Sequence, residues 1–202
     1  MTLLHLLGLP VLAAFLCLVP VPKKVTRLIF VAGAVLLAVS GWAVVFQASP
    51  VFRVFAFGEN LMMDALAAIF VLLIVSLGVL SSIYTAGYLF EEKDLAISAL
   101  KLRRYAFFFH IFLFTMLLAV LSNNLGIMWI AIEGTTLASA FLVNVDDKKS
   151  SVEAAWKYLI LCTVGIALAL FGIILVYYAA VAQVPRGAEQ ALLNSTFLLK
   201  KA

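Results

Sequence analysis

Residues 125–143 read LGIMWIAIEGTTLASAFLV, a run in which Glu133 is the one charged residue. About 18 or more mostly apolar residues are what an α-helix needs to cross a hydrocarbon core of about 30 Å. Working outward, comparable windows lie near 2–21, 28–47, 61–88, 105–122 and 152–181. The 202-residue chain is 66% hydrophobic and 12% charged, with a mean hydropathy of +1.18. Soluble domains are only about half apolar. None of the windows alternates at period two, as the strands of a membrane barrel do. The sequence predicts an all-α, polytopic membrane protein with six transmembrane helices.

The net charge of +4 and pI near 9.1 would suit a nucleic-acid partner, but the basic residues follow the connections instead. Lys23, Lys24 and Arg27 fall between the first and second spans, and Lys93, Lys101, Arg103 and Arg104 between the third and fourth. Lys148 and Lys149 fall between the fifth and sixth. Arg53, Arg186, Lys200 and Lys201 belong to the other side, and Lys157 lies within a span. The basic-rich side is cytoplasmic by the positive-inside rule, which places the N-terminus outside. The first span has no basic residue ahead of it and no small-residue cleavage site, so it reads as a helix rather than a removed leader. Cys17 and Cys162 stand in separate spans with no metal-binding spacing, and read as small packing residues.

The connections differ in character. "VPVPKKVTR" (19–27) is a short basic turn, and "ASPVFRVFAFGEN" (48–60) suits an interfacial hairpin. "EEKDLAISALKLRRY" (91–105) suits either a short amphipathic helix at the interface or a solvated loop. "SNN" (122–124) and "NVDDKKSS" (144–151) are tight enough to make spans four, five and six antiparallel neighbours, with Ser150 or Ser151 capping the sixth. Residues 183–202 form a polar tail. The chain then divides into residues 1–104, three peripheral helices with a cytoplasmic connection; 105–182, three further helices; and 183–202.

A charge at the bilayer centre costs about 2.5–3.5 kcal/mol on insertion scales, so each ionisable residue inside a span needs a partner or a purpose. His5 lies at the chain's outer end. Asp64 lies near a helix N-terminus, where an acid is favoured, and His110 about five residues into the fourth span. Glu133 and Lys157 are deeper, roughly 15 Å and 9 Å from the shared connection at 1.5 Å per residue. An antiparallel pair of helices would bring them within hydrogen-bond or one-water reach, as a structural ion pair or as a proton-handling pair. The small, hydroxylated "EGTTLASA" after Glu133 allows close helix approach.

"LSNNLGIMWIAIEGTTLASAFLV" (121–143) and "EAAWKYLILCTVGIALALFGIILVYY" (153–178) resemble the fifth and sixth helices of a known family. These are the antiporter-like subunits of respiratory complex I, of multi-subunit sodium/proton antiporters and of formate hydrogenlyase-type membrane hydrogenases. "IEGTTLASA" and "AAWKYLILCTVGIALAL" look most like the hydrogenase branch, and "MMDALAAIF" (62–70) resembles the start of the family's third helix. The resemblance implies an inverted-repeat fold, of which this chain holds the first three helices of the first repeat. It implies a role as a non-redox membrane subunit of a proton-translocating hydrogenase or NADH:quinone oxidoreductase-type complex in a prokaryotic cytoplasmic membrane. Glu133 and Lys157 stand where the family's charged pair tunes proton transfer, with His110 and Asp64 as accessory candidates.

The chain carries no cluster-ligand, glycine-rich nucleotide or flavin signature. Iron–sulfur and nickel–iron or flavin centres are therefore expected only in partner subunits, and no cofactor, metal or nucleic acid in this chain. Its expected partners are other membrane subunits and the lipid bilayer. The main rival is a non-conducting scaffold subunit of a membrane oxidoreductase. A haem anchor is disfavoured because His5 and His110 lie at opposite faces, and a small-solute carrier because no discontinuous helix is evident.

Overall fold

The structure, a computed structural model, describes residues 3–47, 53–91, 98–144, 149–181 and 193–194. Six helices run in order: α1 (Leu3–Leu18), α2 (Lys23–Gln47), α3 (Ala65–Glu91), α4 (Ala99–Leu121), α5 (Leu125–Val143) and α6 (Lys149–Val181). A hairpin of β1 (Val54–Ala56) and β2 (Leu61–Met63) joins α2 to α3. Five helices, α2 to α6, are long and apolar enough to cross a membrane. The sixth, α1, has only 16 residues, about 24 Å at 1.5 Å per residue. Its window looked longer in sequence because Val19 and Val21 are apolar. Pro20 and Pro22 stop the helix, since a residue before proline avoids the helical region.

Consecutive helices pack antiparallel. Leu6 and Ala13 of α1 meet Gly41 and Gly33 of α2, and the α2–α3 contact runs from Gly41 and Val75 to Arg27 and Ala86. Thr85 faces Tyr105 across α3 and α4, and Phe15 of α1 packs edge-on against Phe107 of α4. The core lies among α1 to α4, built on Leu3, Leu6, Phe30, Val71, Leu113 and Leu117. α5 packs on α4 and α6 on α5, so that the hydrophobic span of α6 has no buried residue.

The hairpin expected at 48–60 is present but lies slightly later, with Val54 opposite Met63 and Ala56 opposite Leu61. Residues 61–63 are therefore strand rather than the start of the third span. Phe57, Gly58 and Glu59 all turn through positive φ (53°, 61° and 69°), a conformation glycine adopts freely and the other two only under strain. Asp64 then starts α3: its Oδ1 accepts the Ala67 N–H at 2.8 Å. It is a capping acid, the local role its position predicts.

α4 begins six residues earlier than the sequence window. Ser98 caps it by accepting the Lys101 N–H, so the basic "KLRR" forms the first turns of α4 itself rather than a separate interfacial helix or a loop. The earlier part of that connection, 92–97, lies outside the described residues, as do Lys93, Lys148, Arg186, Lys200, Lys201 and most of the 183–202 tail. α6 likewise starts at Lys149, so neither Ser150 nor Ser151 is its cap; Ser151 Oγ donates to Asn144 Oδ1 at 3.0 Å. The alternating helix directions gather Lys23, Lys24, Arg27, Lys101, Arg103, Arg104 and Lys149 at one end of the bundle and leave Arg53 at the other.

At the Arg53 end, asparagines tie three connections together. The Asn123 N–H and Nδ2 donate to the Asn60 and Glu59 carbonyls, both at 2.8 Å. Asn124 Nδ2 donates to Asn60 Oδ1 at 3.4 Å and to Asn194 Oδ1 at 3.3 Å. Its Oδ1 caps α5 by accepting the Gly126 and Ile127 N–H groups.

Candidate functional site

α5 carries Glu133 ten residues before its end at Val143, about 15 Å from the basic end of the bundle at 1.5 Å per residue. Its neighbour Gly134 makes the α4 crossing tight: a Cβ there would lie 2.8 Å from Thr115 Cγ2. On the other side α5 is joined to α6 by side chains. Trp129 Nε1 donates to the Ile166 carbonyl at 2.8 Å, and Ser139 Oγ donates to Tyr158 Oη at 3.3 Å. Positions four apart share a helix face, so Glu133 lies on the Trp129 side. It stands level with Cys162 and Thr163, between those two ties. Its Oε2 is buried and has no hydrogen-bond partner among the described residues.

Lys157 is elsewhere. α6 meets α5 along a stripe of half-buried positions that includes Ser151, Val152, Ala155, Leu159, Cys162 and Ile166. Lys157 follows Ala155 by two residues, about 200° around a helix of 3.6 residues per turn, and so points away from α5. It is also roughly 8 Å nearer the basic end than Glu133, at 1.5 Å per residue. Its ammonium pairs with Glu153 one turn back, with both side chains mostly exposed. The direct Glu133–Lys157 contact expected from depth alone is therefore not formed, because depth ignores which face of α6 a residue occupies. Glu153 is a partner that the depth argument did not consider; its i, i+4 spacing from Lys157 is the sequence signal for it.

His110 is also deeper than expected, because α4 starts at Ala99: it is eleven residues in, about 16 Å at 1.5 Å per residue. It is fully buried among Phe30, Phe109 and Gly33. Nδ1 pairs with the Ala106 carbonyl at 2.9 Å, while Nε2 has no partner among the described residues. His110 and Asp64 are separate from Glu133: one fills the α1–α2–α4 junction and the other caps α3. No group of three potential metal ligands occurs among the described residues.

Glu133 thus lies midway along a membrane-length helix that α4 crosses tightly, in an up-and-down bundle whose last helix has no buried residue in its apolar span among the described residues. Residues 122–193 match the family described as NADH:quinone oxidoreductase/Mrp antiporter, TM. The chain is 40% identical over 124 residues to a hydrogenase-4 component F homolog of Methylacidiphilum infernorum, covering 61% of this chain and 26% of the relative. It is 33% identical over 148 residues to NADH-quinone oxidoreductase subunit L of Mycobacterium tuberculosis, covering 69% and 22%. The chain thus spans about a quarter of the length of these relatives. Its fold matches a chain of the membrane-bound sulfane sulfur reductase, an archaeal respiratory membrane complex, with a TM-score of 0.69 at 21% identity over 88% of this chain and 37% of the other.

Proposed function

We propose that this chain belongs to a membrane subunit of a redox-driven, proton-translocating complex, with Glu133 as its proton-handling group. The observation that carries this reading is Glu133 Oε2, buried without a hydrogen-bond partner in a membrane-crossing helix. An unsatisfied buried polar group costs about 1–3 kcal/mol, and more when charged. Such a group suits a site that binds and releases a proton as its surroundings rearrange. Lys157, held by Glu153 on the far side of α6, acts on that site through space and links it to whatever covers α6. A charged pair facing lipid is costly, and the uncovered face of α6 therefore favours further membrane helices or subunits as neighbours. The names of the relatives favour a hydrogenase or quinone-reducing assembly, with metal clusters or flavin held by its other subunits. The basic end of the bundle faces the cytoplasm of a prokaryotic inner membrane, with the N-terminus outside.

The test is Glu133→Gln in the complete complex, which keeps the side chain's shape and removes its charge. Complex yield should be unchanged and proton translocation in vesicles should fall by about a hundredfold, the loss typical of a missing acid–base group. Lys157→Met should give a weaker defect of the same kind. A scaffold role predicts the reverse, altered yield with normal translocation. Normal proton movement by an assembled Glu133→Gln complex would overturn the proposal.

A further inference from the structure

The two ends of the bundle carry different grooves. At the basic end, a groove of about 490 Å³ lies between α2 and α3, lined by Lys24, Arg27, Leu28, Val31, Ile83 and Ala86. A second, of about 410 Å³, lies where α1 ends, α4 begins and α5 ends; its walls include Leu18, Lys101, Arg104, Tyr105, Phe108 and Phe141. Both follow one plan: two cations three residues apart, one helical turn, above an apolar wall that runs toward the membrane interior. The opposite end has a groove of about 580 Å³ between α1, the hairpin and α4, and its lining among the described residues, including Leu4, Leu12, Phe57 and Phe114, holds no charged residue.

We propose that the two basic-end grooves are binding sites for anionic phospholipids. The cations hold the headgroup phosphate, and the apolar walls seat the upper acyl chains. Charge complementarity fixes the occupant. The first turns of α2 and α4 contain no acidic residue, and a helix N-terminus already carries partial positive charge. Lys24, Arg27, Lys101 and Arg104 add full positive charges beside it. Arg27 and Lys101 engage other groups as well. The wall chemistry selects a lipid over a free anion: Leu28 and Ile83 are exposed in the first groove, and Phe108 stacks on Phe141 at 4.5 Å in the second. The uncharged groove at the other end gives a phosphate nothing to pair with, so the preference is confined to one leaflet.

The full chain, in nanodiscs of phosphatidylcholine alone or mixed with phosphatidylglycerol, is released and weighed by native mass spectrometry to count retained lipids. Phosphatidylglycerol should be retained in preference, up to two per chain. Lys24→Gln with Arg27→Gln should remove one, and Lys101→Gln with Arg104→Gln the other. Each pair should weaken binding about thirtyfold, the factor two cations near a membrane surface supply. Ile83→Trp fills the first groove without touching its charges and should remove the same lipid. Inorganic phosphate should not displace either. Equal retention of the two lipids by the unaltered chain overturns the proposal even if a variant misfolds. Unchanged retention in the folded variants does so too, and displacement by inorganic phosphate would make the grooves simple anion sites.

Discussion

Gly134→Ala probes the α4–α5 crossing beside Glu133 with a single methyl group. The new Cβ would fall 2.8 Å from Thr115 Cγ2 and 3.4 Å from Thr115 Cβ. Carbon atoms in contact sit about 3.5–4.0 Å apart, so the helices must separate by about 0.7 Å. Thr115 is buried and cannot easily swing aside, because its hydroxyl donates to the Phe112 carbonyl at 2.9 Å. Overpacking of this kind costs about 1–3 kcal/mol, against which alanine's better helix propensity recovers about 1 kcal/mol. The net loss is about 0–2 kcal/mol. Thr115→Ser removes the clashing methyl and keeps the hydroxyl. In that background Gly134→Ala should be neutral or stabilise by up to about 1 kcal/mol, a change of sign. Reversible unfolding in mixed micelles, by titration with a denaturing detergent, gives all four corners of the cycle and a coupling of about 1–3 kcal/mol. Proton translocation in the assembled complex should follow, reduced in Gly134→Ala and restored by Thr115→Ser, because the separation displaces the Glu133 backbone. Additivity within about 0.5 kcal/mol would show that Gly134 does not set the helix separation.

Asn124→Ala removes the α5 cap and two side-chain hydrogen bonds, and should cost about 2–4 kcal/mol in the same unfolding assay. Asn124→Asp, which keeps the cap, should lose only the part due to the donors. Gly33→Ala should destabilise by about 1–3 kcal/mol, since its Cβ would lie 2.7 Å from His110 Nε2 and 2.8 Å from Ala13 Cβ. Adding Ala13→Gly relieves one of those contacts and should restore only part of the loss.

What the sequence revealed depended on whether the deciding force was local. α5 could be bounded to the residue, because two asparagines precede its apolar run and Asn144 follows it. Asp64 read as an acid favoured near a helix N-terminus, and its place as the residue just before α3 came only with the strand at 61–63. The start of α4 was left open, because Lys101, Arg103 and Arg104 suited a short interfacial helix or a loop alike although Ser98 was in place to cap them. Glu133 was conspicuous as a charge among apolar residues, but its neighbours were not. Whether it meets Lys157 turns on the rotation of α6, which its small and apolar contact stripe from Ala155 to Ile166 sets and which a count of depth leaves out. The junction of His110 with Gly33 and Ala13 joins three helices distant in sequence, and no spacing rule within one helix points to it.

The unequal helix lengths bear on the shape of the surrounding bilayer. α1 is about 24 Å long at 1.5 Å per residue, while Lys149–Ala179 of α6 has 31 residues, about 46 Å by the same measure, of which the uncharged run 158–179 takes about 33 Å. Lipid meeting α1 must thin and lipid along α6 must thicken or let that helix lean, at a fraction of a kcal/mol per Å of mismatch. The chain therefore imposes a gradient of thickness across its own width. That elastic strain falls wherever another protein surface replaces lipid, so the deformation itself draws neighbours of matching height to the two edges before any specific contact is made.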